Sequence, residues 1–120
     1  MFESTHHAID YIEFSVTDIA AAKAFYGAVF GWTFTDYAPG YVGIHRMGVE
    51  GECGGLSLVE EAPPTGPVLV VLYSADLEAS LQAVKAAGGV ITTEPFSFPG
   101  GRRFHFTDPS GNELAVWSDR

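Results

Sequence analysis

The chain carries the same order of sequence signals twice. Residues 11–18 read YIEFSVTD and residues 69–76 read LVVLYSAD, two apolar, strand-like runs that each close on an aspartate. Asp18 is followed by IAAAKAFYGAVFG, ending at Gly31, and Asp76 by LEASLQAVKAAGG, ending at Gly89. The aspartates and the glycines are both 58 residues apart (18 to 76 and 31 to 89). Such a repeat at fixed spacing predicts one supersecondary unit used twice.

Each copy has the same physical logic. Asp18 and Asp76 are suited to cap a helix, because a carboxylate oxygen can accept an otherwise unpaired backbone N–H. Ile19, Ala22, Phe25, Tyr26, Val29 and Phe30 recur at helical spacing in the first copy, as do Leu77, Leu81 and Val84 in the second. Gly31 and Gly88-Gly89 stand where a left-handed residue ends a helix. Strands are then expected at Trp32–Tyr37, Tyr41–Met47 and Gly55–Glu60, and again at Val90–Glu94, Arg103–Thr107 and Glu113–Ser118. Pro39-Gly40, Gly48 to Gly54, Pro99-Gly100-Gly101 and Asp108-Pro109-Ser110-Gly111-Asn112 supply the turns.

The predicted order is therefore β-α-β-β-β, twice, an α+β arrangement rather than the strict alternation of a doubly wound sheet. The chain reads as a single domain over 1–120, with module one at about 8–60, a linker at 61–67 and module two at about 68–118. At 120 residues and 47% apolar content it can bury a core without staples. No glycine-rich loop joins a strand to a helix, so the dinucleotide fingerprint is missing.

Charge narrows the partners. Six Lys plus Arg against 15 Asp plus Glu give a net charge of −9, and only Arg102-Arg103 forms a basic pair. Neither a nucleic acid nor an anionic membrane surface is expected as a partner. The lone Cys53 offers no internal disulfide and no cysteine-rich zinc site. No apolar run approaches a membrane span, and MFESTHHAIDYIEF does not read as a secretory signal, so the expected compartment is the cytoplasm.

Two stretches carry a family resemblance. VTDIAAAKAFYGAVFGW (16–32) and FHFTDPSGNELAVW (104–117), set around the repeat, resemble the vicinal oxygen chelate superfamily. That superfamily includes glyoxalase I, extradiol dioxygenases and bleomycin-resistance proteins. The resemblance implies that two modules form a half-open, eight-stranded barrel whose concave side holds a ligand. It also implies a homodimer.

Metal-dependent members of that family hold a divalent ion with His, Glu or Gln. One ligand comes from the first strand of each module, seven residues before the capping Asp, here Tyr11 and Leu69. Another lies seven residues after the Asp of the Asp-Pro turn, here Ala115, and the fourth falls near Ser57. These side chains are poor donors for a divalent cation. The expectation is therefore no metal and no other cofactor.

Strand alternation then sets the cleft. With Tyr11 facing it, Glu13 and Ser15 follow; Leu69 brings Val71 and Tyr73; Ala115 brings Glu113 and Trp117; His105 brings Arg103. Tyr11, Ser57, Tyr73, Arg103 and Trp117 are the expected ligand-binding residues. A carboxylate at Glu13, beside Ile12 and Phe14, is costly to bury unpaired. Glu13 is read as paired, for instance with Arg103, as lying in a solvated cleft, or as a ligand anchor or base. His105 is the matching candidate for acid–base work.

Two functions follow. The first is a metal-free protein that binds a small organic molecule in a partly aromatic cleft. The alternative is a glyoxalase-like lyase or isomerase, or a dioxygenase-like enzyme, using an atypical metal site or Glu13 and His105.

Overall fold

The computed structural model describes residues 5–66 and 68–120. Residues 1–4 of the expected domain and Pro67 of the expected linker lie outside the described residues. The element order is β1 (Ile12–Val16), α1 (Ile19–Phe30), β2 (Thr33–Ala38), β3 (Tyr41–His45) and β4 (Gly54–Leu58), then β5 (Val70–Tyr73), α2 (Leu77–Ala86), β6 (Val90–Phe98), β7 (Gly101–Thr107) and β8 (Glu113–Ser118). The strands form two sheets of matching topology, β1-β4-β3-β2 and β5-β8-β7-β6. In each, the first strand of the module runs parallel to the last and the other neighbours are antiparallel. The two sheets do not close on each other, and the fold is α+β with a half-open barrel architecture.

The capping aspartates act as the sequence suggests. Asp18 accepts the Ala21 N–H at 2.9 Å and Asp76 accepts the Ala79 N–H at 3.1 Å. Gly31 is left-handed, with φ 73°, and closes α1 by donating to the Gly27 carbonyl. In module two it is Gly88, with φ 91°, that takes this conformation. Gly89 fills a different need, because an added Cβ would lie 2.6 Å from Val84.

Some strand limits differ from expectation. β6 continues to Phe98 despite Pro95, with register shifts between Ile91 and Phe96, a place where a proline is tolerated in a strand. Gly54 is already a strand residue of β4 rather than part of the turn before it, β4 ends at Leu58 rather than Glu60, and Gly101 opens β7.

One core unites the modules. Val16, Phe25, Tyr26, Ile44 and Leu56 from module one join Leu77, Val84, Phe104, Phe106 and Leu114 from module two in a single buried cluster. Phe106 on β7 meets both Phe25 and Phe30 of α1, with ring centroids 6.0 Å apart in each pair. Tyr26 stacks almost parallel on Trp32 at 4.7 Å. The helix-side faces of both sheets thus share one interior.

The β7–β8 turn ties that interior together. Asp108 is buried, and its carboxylate accepts four hydrogen bonds: from the Tyr26 hydroxyl (2.7 Å), the Ser110 N–H (2.9 Å), the Asn112 N–H (2.9 Å) and the Asn112 side-chain amide (3.1 Å). The same amide donates to the Ser15 carbonyl at 2.8 Å, and the Thr17 N–H donates to Ser110 Oγ at 2.9 Å. A turn of module two is therefore stitched to β1 and α1 of module one.

Burial, then the charge and hydrogen bond of Asp108, hold the Tyr26 hydroxyl far above the ordinary tyrosine range. The folded chain keeps a proton that an unfolded tyrosine releases near pH 10. This contribution is complete below about pH 10 and is lost as pH rises beyond it. Tyr26→Phe is expected to cost about 1–3 kcal/mol at pH 7 in urea denaturation, because it leaves Asp108 short of a donor. It is also expected to flatten the fall in stability above pH 10; a slope equal to the wild type would contradict the assignment.

Candidate functional site

Each sheet has a face turned away from the shared core, and the chemistry collects there. In module one the face is built on a glycine pair. Gly43 on β3 lies opposite Gly55 on β4, and Gly55 lies opposite Glu13 on β1. A Cβ at Gly43 would sit 1.9 Å from a Glu52 carboxylate oxygen, and one at Gly55 would sit 2.0 Å from the Tyr41 hydroxyl. The missing side chains leave room for polar groups to lie flat on the sheet, a known use of glycine within strands.

Three tyrosines converge in that room. Glu52 accepts from Tyr37 at one carboxylate oxygen (2.5 Å) and from Tyr11 at the other (2.9 Å). Tyr11 and Tyr41 share a further hydrogen bond of 2.5 Å. Cys53, the next residue after Glu52, is pinned between two strands: its N–H donates to Ile44 and its carbonyl accepts from Ile12. Desolvation, then the bonds with Tyr41 and Glu52, push the Tyr11 hydroxyl well above the usual tyrosine range. Tyr41 is raised by burial, against the lowering effect of Tyr11, with Glu13 and Glu52 adding to the rise.

In module two one register row crosses the face. Phe96 on β6 lies opposite Arg103 on β7, Arg103 opposite Trp117 on β8, and Trp117 opposite Tyr73 on β5. The Arg103 guanidinium lies over the rings of Phe96 and Phe98, 5.4 and 5.8 Å from their centroids. Tyr73 meets Trp117 edge to face at 5.2 Å and donates to Asp119 at 2.6 Å. That bond raises the Tyr73 hydroxyl and lowers the Asp119 carboxyl. In the next row His105 lies opposite Ala115, which lies opposite Val71. His105 Nδ1 faces Glu113 at 3.6 Å, and its Nε2 is buried without a partner.

The sequence-predicted residues thus fall into two groups. Tyr11, Glu13 and Ser57 belong to the module-one face; Tyr73, Arg103, His105 and Trp117 belong to the module-two face. Among the described residues, no hydrogen bond or ring contact joins one group to the other. The suggested Glu13–Arg103 pair is not formed: the two sit on different sheets, and Glu13 acts on Tyr41 instead. Sequence reasoning missed Glu52, Tyr37 and Tyr41. The available signal was the glycine content of YVGIH and GGLSL, where a strand makes room for something close.

A cavity of about 330 Å³ opens between the modules, and Tyr11 lines it together with Phe14, Trp32, Ile44, Val70 and Leu72. Its charged lining residues, Asp10 and Arg46, are exposed.

Register also refines the family's metal positions. Glu13 and Val71 are equivalent in the repeat, and they pair with Gly55 and Ala115 respectively. The module-one counterpart of Ala115 is therefore Gly55, two residues before Ser57. The position has no side chain, and hydroxyls of Tyr41 and Tyr11 occupy its space. Tyr11, Gly55, Leu69 and Ala115 do not fit a divalent cation. Among the described residues no three His, Cys, Asp or Glu groups come together in a metal-binding cluster.

The family model for the Glyoxalase/Bleomycin resistance protein/Dioxygenase superfamily matches residues 8–116. The chain belongs to this superfamily. A putative glyoxylase of Mycobacterium tuberculosis, CFP32, is 30% identical over 90% of this chain, which spans 44% of that protein. A glyoxalase-related enzyme from Fulvimarina pelagi superposes with a TM-score of 0.77 at 20% identity, covering 93% of this chain and 88% of its own. TnmS3, an antibiotic binding protein from Streptomyces sp. CB03234, gives a TM-score of 0.71 at 21% identity, covering 97% of this chain and 98% of its own. At such identities the two structures speak for the fold.

Gly55→Ala tests the module-one construction. The new methyl is expected to expel the Tyr11 and Tyr41 hydroxyls and to cost about 1–3 kcal/mol of stability. Tyrosine ring resonances in NMR spectra report the displacement; unchanged Tyr11 and Tyr41 signals would contradict the geometry.

Proposed function

We propose that the protein binds a small organic molecule without a metal, in a cleft that two copies of the chain complete. The observation that carries this reading is the pair of helix-free faces. Each sets aromatic side chains beside a few polar groups, the mixture that suits organic ligands, and neither offers a set of metal donors. The modules already share their helix-side faces in one core, so the other two faces are left for a second chain. A two-fold pairing would set module one of each chain against module two of the other. Kinship with TnmS3 supports the ligand class in the coarse sense of its printed description.

The competing reading is an enzyme of the lyase, isomerase or dioxygenase-like kind. One observation favours it: His105 is oriented towards Glu113 with its other nitrogen unpaired, as an acid–base group would be. Glu13 lies on the other sheet and makes no hydrogen bond to it among the described residues. No described helix is long and apolar enough to cross a membrane. A cytoplasmic location is part of the proposal.

Elemental analysis and titration with Mn, Fe, Ni and Zn test the metal-free claim. The expected result is no stoichiometric ion and no tight binding. One tightly held ion per chain would overturn the claim and favour the enzyme.

A further inference from the structure

Arg102 and Arg103 are neighbours with opposite fates. Arg102 is paired: its Nη2 donates to both oxygens of Glu78, at 2.8 and 3.0 Å, and to the Arg120 carbonyl at 3.2 Å. Arg103, one residue on and on the other face of β7, has no hydrogen bond and no carboxylate within ion-pair distance among the described residues. Its Nε is buried without a partner. In a chain with nine more acidic than basic side chains, an unpaired guanidinium is unexpected.

Its surroundings fix its position. Phe96 and Phe98 sit beneath the cation, and Trp117 flanks it across the strand. Aromatic faces hold a guanidinium in place without neutralising it, and they strip away part of its water. His105, two residues along on the same face, keeps Glu113 on its Nδ1 side and has an orphaned buried nitrogen of its own, Nε2. The row is completed by Tyr73 against Trp117. A planar fork that presents N–H donors beside flat aromatic walls matches one ligand chemistry: an anionic oxygen carried on an aromatic ring.

Resting on the small-molecule reading above, we propose that the module-two face is a subsite for an aromatic anion, a ring-borne carboxylate or phenolate. Its oxygen pairs with Arg103 and is supported by His105, and its ring lies against Trp117. Arg103 supplies charge and orientation, and the aromatic row supplies contact area.

The test compares 2-naphthoate with 2-naphthalenemethanol, the same ring with and without the charge. Binding is followed by calorimetry and by the Trp117 indole N–H in NMR spectra of the intact protein. Naphthoate is expected to bind at least about ten-fold more tightly than the alcohol and to shift the Trp117 signal. Arg103→Met is expected to lower naphthoate to the level of the alcohol while leaving the alcohol unchanged. Arg103→Lys keeps the charge without the fork and is expected to fall between them; it also serves if the Met variant does not fold. Equal binding of the two compounds, or an Arg103→Met protein that binds naphthoate as the wild type does, overturns the anion subsite but leaves small-molecule binding standing. Binding of neither compound overturns the subsite, and a protein that also binds no other organic ligand loses the functional reading with it. Loss of the wild-type oligomeric state in Arg103→Met, with no naphthoate bound by the wild type, would assign the cation to a partner's carboxylate instead, and overturns the proposal.

Discussion

The carboxylate of Asp108 is the point on which the two modules depend. It is buried, and it is tolerated because four donors satisfy it, one of them the hydroxyl of Tyr26 from the other module. A buried carboxylate that lost one of these donors would keep its desolvation cost without the compensation. The bonds from Asn112 to Ser15 and from Thr17 to Ser110 extend the same junction. Once the modules are locked at this turn, the helices and the helix-side faces close into one core, with Phe106 against Phe25 and Phe30. The geometry of everything else follows, including which sheet faces remain open.

The open faces solve their local problems differently. Module one gives up side chains at Gly43 and Gly55 and fills the space with a carboxylate and phenols whose hydrogen bonds are largely internal. Module two keeps large side chains and leaves its cation unneutralised. One face is a closed polar network and the other is an unfinished one. The asymmetry arises from the same topology and the same register, so it reflects residue choice at equivalent positions such as Gly43 and His105, or Gly55 and Ala115. Divergence of two copies around a fixed framework is how one fold comes to host different sites.

Much of the framework was legible in the sequence, because its determinants are local. Caps at Asp18 and Asp76, the left-handed Gly31 and the alternation of β7 and β8 involve residues close together in the chain. The face assignments of Tyr11, Glu13, Arg103, His105 and Trp117 followed from alternation once the family resemblance had set Tyr11, Ala115 and His105 on the concave side. The misses are long-range. Asp108 reads as a turn residue, and its bond to Tyr26 spans 82 residues. Glu52 sits in a segment that looks like a loop, and its tyrosine partners come from β2 and the residue before β1. The Glu13–Arg103 pair failed for the same reason: periodicity assigns a face, but it does not say which two faces meet. Register, which only the structure supplies, moved the fourth family position from Ser57 to Gly55.

The central claim is that the cleft is shared between chains, and subunit mixing tests it most directly. Ser57→Trp would obstruct the module-one face, and Trp117→Ala would remove the aromatic wall of module two. Each variant alone has two damaged clefts per dimer and is expected to bind 2-naphthoate poorly. In a mixed dimer, one cleft combines the intact module one of the Trp117→Ala chain with the intact module two of the Ser57→Trp chain. Random exchange of equal amounts is therefore expected to restore about a quarter of the wild-type sites at wild-type affinity. No recovery after exchange, with mixed dimers shown to be present, would place each cleft within a single chain and contradict the account.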